Sequence, residues 1–335
     1  MIRVDYAGPG GTCEGLRMVG LGDRAVGIEW DAAACATRAA AGHLTIRADL
    51  ATYRPHHAPG SVEGYWASPP CQTFSSAGKG DGRDQLDALG LAILGEDWAA
   101  ADGFDPRTRH VLDAARTAVE LHPEWIGMEQ VPAVLPLWRA IAHVLERHGY
   151  STWAGVLCAA DYGVPQTRER AVLMASRVRC VHPPTPTHAE TPGLFGELPW
   201  IAWGDALDLP MSFEAVGRRG AGMIERHGER PTVPASEPYP TITTGEHRRR
   251  WLLDRRTNSK GPGGSMVPTG GYVLTDGTDD RRKLTIHGAL TLQSFRVDYP
   301  VVGSKEQRFT QIGNAVPPVL AAHVVAALTG RAGPS

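Results

Sequence analysis

The stretch SPPCQTFSS, residues 68–76, sets Cys71 directly behind two prolines and ahead of a polar run. Proline fixes φ and restricts the residue before it, so backbone largely sets the direction of this thiol. The run that follows, QTFSSAGKGDGRDQ, is polar and glycine-rich, suited to a loop that closes over a substrate. A thiolate is a nucleophile, and such a mounting suits one that must meet a single atom. Cys13, Cys35, Cys158 and Cys180 have no comparable setting and read as buried, inert cysteines. Farther on, GMEQVPAV offers Glu129 at the end of a predicted strand, and DYGVPQTRERAVLMAS offers Gln166, Arg168 and Arg170 just before another. Alone, a QTRER run is an ordinary solvated turn. A thiol, a carboxylate and an arginine at neighbouring strand ends form a coherent chemical set.

A second set lies at the start of the chain. DYAGPGG, Asp5 to Gly11, follows one predicted strand and opens a helix, where glycines let backbone approach a ligand at a helix N-terminus. Glu29 ends the next strand and could take both hydroxyls of a ribose. Trp30 offers a flat face for an adenine, and Asp49, ending the third strand, could accept from an adenine amino group. Three consecutive strand ends carrying such groups favour a nucleoside site over a plain glycine turn. The spacing is not GxGxxG, so NAD and S-adenosylmethionine (AdoMet) both stay open on these residues alone.

The elements that must hold these groups follow a repeating pattern. IRVDY, RAVGIEW, LTIRADL, VEGYWAS, EWIGMEQ, STWAGVL and RAVLMAS read as strands. Between them lie helical patterns, with Asp31 as an N-cap, Gly42 and Gly149 as stops, and apolar spacing over residues 107–121 and PLWRAIAHVLERHG. Repeated β-α-β units predict an α/β fold, a doubly wound, mostly parallel sheet. From about Val178 the pattern gives way to Pro-, Gly- and Thr-rich segments, predicting a loop-heavy second domain. The first strand begins at residue 2, leaving one flank of the sheet bare. The apolar helix from about Pro317 to Leu328 is expected to return and fill it.

With 335 residues the chain suffices for one large domain, or for a large domain with a smaller one attached. Five cysteines without CxxC spacing argue against disulfides and a zinc site, and no metal is expected. The opening residues lack the basic and apolar regions of a signal peptide, and a soluble, cytoplasmic protein is expected. Net charge is −2, yet residues 212–283 carry net +4 on a body of −6. That segment is a possible polyanion-binding face, or equally an ordinary solvated surface.

Taken in order, DYAGPGG, IEWD, RADL, SPPCQTFS, EQV, YGVPQTRERAVLMA, RRKLTIHGALTLQSF and QIGNAVPP resemble the cytosine carbon-5 DNA methyltransferase family over nearly the whole chain. The resemblance implies a Rossmann-like, AdoMet-dependent fold with a catalytic domain over 1–177, a target-recognition domain over 178–280 and a segment 281–335 returning to the first. It implies Cys71 as nucleophile, Glu129 on ring N3 and the exocyclic amine, Arg168 on O2, and Arg170 supporting the site. AdoMet would lie on Tyr6, Gly8, Gly10, Gly11, Glu29, Trp30, Asp49, Leu50, Pro70 and Asn314, its product being S-adenosylhomocysteine. Gln72 and Ser75 would meet double-stranded DNA around a flipped cytosine, with Arg248, Arg249, Arg250, Arg255 and Arg256 as phosphate anchors and Arg218 and Arg219 as further ones. A monomer, and a cognate restriction endonuclease on another chain, are the implied partners. EQV departs from the usual Glu-Asn-Val. The rival readings are a tRNA cytosine methyltransferase, whose Cys-Phe-Thr signature is absent here, a non-catalytic DNA-binding homologue, and an NAD-dependent oxidoreductase, which leaves Pro-Pro-Cys unexplained.

Overall fold

Strands that are apolar without alternation mark the centre of a sheet covered on both faces. In the computed structural model every residue of β1 (Ile2–Asp5), β4 (Gly64–Ala67) and β5 (Trp125–Gln130) is buried, whereas β3 (Leu44–Arg47) is largely exposed. The structure describes residues 1–55, 57–70, 85–193, 196–209, 211, 213–216, 232–242, 273–275, 281–282 and 284–334. With β2 (Ala25–Glu29), β6 (Ser151–Cys158) and β8 (Glu169–Ser176), these strands form a seven-stranded sheet in the order β3-β2-β1-β4-β5-β8-β6.

The sheet is parallel except for β8, which runs antiparallel to both β5 and β6. The link from Cys158 to Glu169 is too short for a helical crossover, which needs a dozen or more residues, so the chain doubles back. Chain order reverses between β1 and β4, and such a switch point opens a crevice at the carboxyl ends of the strands. Asp5 is in register with Ala67, and Ala67 with Met128. The glycine loop after β1, the Pro-Pro segment after β4 and Glu129 on β5 therefore leave the sheet side by side.

One face carries α3 (Leu86–Leu94), α4 (His110–Leu121) and α5 (Leu135–Arg147) over Tyr65, Ile126, Met128 and Leu173. The other carries α1 (Gly11–Met18) and the final helix α8 (Pro318–Thr329) over Ile2, Val4, Trp66 and Met174. α1 and α8 pack so closely that a Cβ on Gly15 would lie 2.7 Å from the Ala321 methyl and from the Pro318 carbonyl. α2 (Ala32–Ala40) starts on Asp31, whose carboxylate accepts from Ala34 N at 2.8 Å, and Gly42 and Gly149 take the left-handed conformation expected of them. Lys305–Thr329 is apolar enough in composition to cross a membrane, yet it breaks at Ala315–Pro317 into α7 (Lys305–Asn314) and α8 and is largely buried.

Beyond β8, β9 (His188–Ala189) pairs in parallel with β10 (Leu198–Pro199), and β12 (Thr232–Pro234), β11 (Glu214–Val216), β14 (Val273–Thr275) and β15 (Arg281–Arg282) form a small antiparallel sheet in that order. β13 (Tyr239–Pro240) pairs in parallel with β7 (Gln166–Thr167), which lies between β6 and β8 in the chain. α6 (Ile286–Leu292) and α7 then share a third apolar cluster with Trp203, Phe213 and Tyr239.

Candidate active site

The glycine loop is shaped by backbone that few residues tolerate. Tyr6, Gly8 and Gly10 have φ of +54°, +52° and +113°. Left-handed backbone is strained for tyrosine. Its side chain is held by contact of its hydroxyl with Nδ1 of His110 at 3.3 Å and by an edge-on approach of the two rings. The three glycines play different parts. A Cβ on Gly10 would lie 2.6 Å from the Tyr299 hydroxyl, and one on Gly11 would run into the Val316 carbonyl oxygen. A Cβ on Gly8 would meet nothing within 4 Å among the described residues. Gly10 and Gly11 thus admit the returning C-terminal segment behind the loop, while the open side belongs to Gly8.

Glu29, 7% exposed at the end of β2, ties that loop to its neighbour. Its Oε2 accepts from Gly8 N at 2.8 Å, and its Oε1 from Trp30 N at 2.9 Å and Asp31 N at 2.8 Å. A carboxylate has about four lone-pair positions, so one acceptor position on Oε2 is left for a ligand. Glu29, expected to take both ribose hydroxyls, therefore carries three backbone donors and keeps one position free. Trp30 beside it is 69% exposed, an indole face open to stacking. Asp49 is exposed after β3 and accepts from Ala51 N at 2.9 Å. An open glycine, a buried carboxylate with one free position and an exposed indole at adjacent strand ends fit the adenosine half of AdoMet. Behind Tyr6 and Leu50 lies a cavity of about 520 Å³, floored by Arg3 and Asp5 and walled by Arg54 and Asp113.

On the neighbouring strands the charged pair is assembled by register. Glu129 is opposite Val172 on β8, so Arg170, two residues along, lies diagonally across on the same face. Arg170 Nε meets Glu129 Oε1 at 2.9 Å, with the two side chains only 11% and 7% exposed. Gln130 points to the β4 side, where its Nε2 donates to the Pro69 carbonyl at 2.6 Å. Its Oε1 accepts from Val131 N at 2.6 Å. The residue that departs from Glu-Asn-Val therefore grips the backbone two positions before Cys71. Cys71, Gln72, Ser75, Arg218, Arg219, Arg248, Arg249, Arg250, Arg255 and Arg256 lie outside the described residues. Pro70, half-buried, is the last described residue on the nucleophile side.

Arg168 is placed differently from the O2 donor expected of it. Its guanidinium is 2% exposed and donates to the carbonyls of Gly313 at 2.9 Å, Ala315 at 3.1 Å and Ile242 at 3.4 Å. The first two of these carbonyls flank Asn314, the exposed last residue of α7. Strand alternation would put Arg168 on the face of Arg170, but the chain bends: Arg168 N donates to Gln166 O and Gln166 N to Val164 O. Arg170, read as a supporting group, holds the position beside Glu129. Gln166 joins the same hub, donating to Leu292 O and Gln293 and accepting from Ile242 N. Among the other cysteines, Cys13 is buried, but Cys180 is exposed and Cys35 and Cys158 are half-buried, so burial does not hold for all four. Burial pushes the Cys35 and Cys158 thiols up, which keeps them protonated.

The fold is the doubly wound, Rossmann-like sheet of the AdoMet-dependent methyltransferases. A sequence model of the C-5 cytosine-specific DNA methylase family matches residues 6–192 and 224–330. A type II methyltransferase of Arthrospira platensis, M.AplI, is 30% identical over 94% of this chain and 81% of its own length. M1.HphI of Haemophilus parahaemolyticus is 28% identical over 96% and 85%. The solved structure of Schizosaccharomyces pombe (S. pombe) Dnmt2 superposes with a TM-score of 0.60 at 15% identity, covering 98% of each chain. The Entamoeba histolytica methyltransferase EhMeth gives 0.57 at 14%, covering 98% of this chain and 97% of that one. The chain belongs to the C-5 cytosine-specific DNA methylase family and is a DNA cytosine methyltransferase.

Proposed function

We propose that the protein methylates carbon 5 of a cytosine turned out of a specific duplex DNA sequence, using AdoMet and a covalent adduct on Cys71. The observation that carries this is the register Asp5–Ala67–Met128, which sets the glycine loop, the Pro69–Pro70 segment that precedes Cys71 and the Glu129–Arg170 pair at one sheet edge. On this reading residues 1–177 catalyse, 178–280 recognise DNA and 281–335 return to the first domain.

Cytosine carbon 5 is a weak nucleophile. Addition of the Cys71 thiolate to carbon 6 makes the ring an enamine and drives negative charge onto N3 and O2. Glu129, in a form that donates a proton, would hydrogen-bond N3 and accept from the exocyclic amine. Arg170, already at the Glu129 carboxylate, would donate to O2, the role first assigned to Arg168. AdoMet, when bound, supplies the electrophilic methyl that carbon 5 accepts. Gly8, Glu29 and Trp30 would hold its adenosine, with Asp49 and Leu50 at the adenine edge and Asn314 near the methionine end. Loss of the carbon-5 proton and expulsion of the thiolate then restore aromaticity. Inside a duplex the ring face is stacked, so extrusion costs a few kcal/mol. The type II relatives support a place in a restriction–modification system; the reading adds to this a cognate nuclease on another chain and action in the cytoplasm.

The test expresses the protein in a methylation-free host and sequences bisulfite-treated DNA. Methylcytosine confined to one short motif is expected. Labelled AdoMet that marks tRNA but not DNA would overturn the reading. Trapping on a 5-fluorocytosine duplex, followed by peptide mapping, should place the crosslink at Cys71.

A further inference from the structure

The loop assigned to AdoMet is held from outside the crevice by groups that have no part in that assignment. Tyr299, 4% exposed, donates its hydroxyl to the Pro9 carbonyl at 2.5 Å. Its ring lies 4.7 Å from that of Phe295, with the Arg296 guanidinium over it at 5.6 Å. The His43 ring stands on the same side, 6.4 Å from Tyr299, and its Nε2 meets Glu14 Oε1 at 3.0 Å. Glu14 sits in the first turn of α1, the helix that the loop opens. The φ of +113° at Gly10 leaves its missing side chain facing Tyr299 and His43, with no room for an added carbon.

Pro9 lies between Gly8, the open glycine, and Gly10, the closed one. The Pro9–Gly10 peptide is held within the loop by Gly10 N, which donates to the Ala7 carbonyl at 3.2 Å, and from outside it by the Tyr299 hydroxyl on its own carbonyl. A loop that must order itself on binding loses affinity by the fraction of time it spends misplaced. We infer that Tyr299, on a segment nearly 290 residues away, is the positioning residue of the cofactor loop, fixing the Pro9 carbonyl so that the backbone of Gly8 is preset for AdoMet. The inference rests on the assignment of AdoMet to this loop. Tyr299 is buried and bonds the backbone of the loop, so its effect falls on cofactor affinity rather than on the methyl-transfer step. His43, braced by Glu14, stands beside the ring.

The experiment is Tyr299→Phe, which removes one oxygen and keeps the ring. Titration calorimetry with S-adenosylhomocysteine should show Kd raised about 5- to 10-fold, the loss expected of one hydrogen bond. The KM for AdoMet should rise with it, while kcat at saturating AdoMet on unmethylated plasmid DNA stays within about twofold of the parent. Hydrogen exchange should quicken in the peptide spanning residues 6–14 and not in β5. Unchanged Kd overturns the inference. So does a fall in kcat and in the melting temperature of the free protein that matches the fall in affinity, since a general loss of structure then explains the result. Failure of the parent protein itself to bind S-adenosylhomocysteine would sink the AdoMet assignment instead, which keeps the two failures apart.

Discussion

The Gln130 side-chain amide donates to the Pro69 carbonyl at 2.6 Å while its oxygen accepts from Val131 N. One residue at the end of β5 thereby closes the gap to the strand end that leads to Cys71, joining the charged pair to the nucleophile segment. Gln130 is 3% exposed, so neither bond competes with bulk water.

Gln130→Ala should therefore loosen the entrance to Cys71 without touching the glycine loop. A drop in kcat of about 10- to 100-fold is expected, since small misplacement of a nucleophile carries such penalties. S-adenosylhomocysteine affinity should hold. Gln130→Asn, one methylene shorter, should recover part of the rate. Single-turnover methylation alongside calorimetry checks both, and an alanine variant with parental turnover would remove Gln130 from the mechanism.

Arg168 and Arg170, two residues apart, should fail in different ways. Arg170→Lys loses the planar donor beside Glu129, and turnover should fall by about 10²-fold or more with little change in melting temperature. Arg168→Met leaves the Gly313 and Ala315 carbonyls without their donor. That should cost roughly 2–4 kcal/mol of stability, a melting shift of several degrees. Calorimetric melts and initial rates on the same preparations discriminate. Equal melting losses in both variants would contradict the division.

Trp30→Ala tests the open adenine face. At 69% exposure the indole contributes little to folding, so the melting temperature of the free protein should stay within about 1 °C. Loss of stacking should weaken S-adenosylhomocysteine binding by about tenfold. A variant that binds as tightly as its parent would place the adenine elsewhere.

His323, on α8, packs its ring 5.2 Å from that of Tyr162 and faces His188. Burial first, and charge on His188 second, lower its pKa to about 4 from 6.5. As pH falls below about 6.5 the unfolded chain takes up a proton that the folded chain refuses, so stability declines until about pH 4. His323→Gln should flatten that decline in urea midpoints measured from pH 7 to 4.5. Parallel pH curves for parent and variant would show the imidazole titrating freely in the folded protein.

Much of the framework was legible from residue order. Asp31 as a cap, Gly42 and Gly149 as stops and the β-α alternation are local, and each rests on backbone conformation within a few residues. The antiparallel turn of β8 was within reach too, since a link of about ten residues cannot cross over a sheet. Alternation failed at Arg168, because two short-range backbone bonds bend the chain just where period two would have carried both arginines to one face. The glycine cluster was read as one ligand surface because spacing cannot say which side of a loop will be covered.

By itself the sequence determined the set of groups and their order: a proline-mounted thiol, a carboxylate, two arginines, and a glycine loop ahead of acidic and aromatic strand ends. These are fixed by residue type and by propensities that act over one or two turns. Only the tertiary structure decided which arginine meets Glu129, which glycine faces open space and what grips Pro69 and Pro9. Each of those answers depends on contacts between segments from about 40 to nearly 300 residues apart, where strand register and helix packing, rather than local preference, set the geometry.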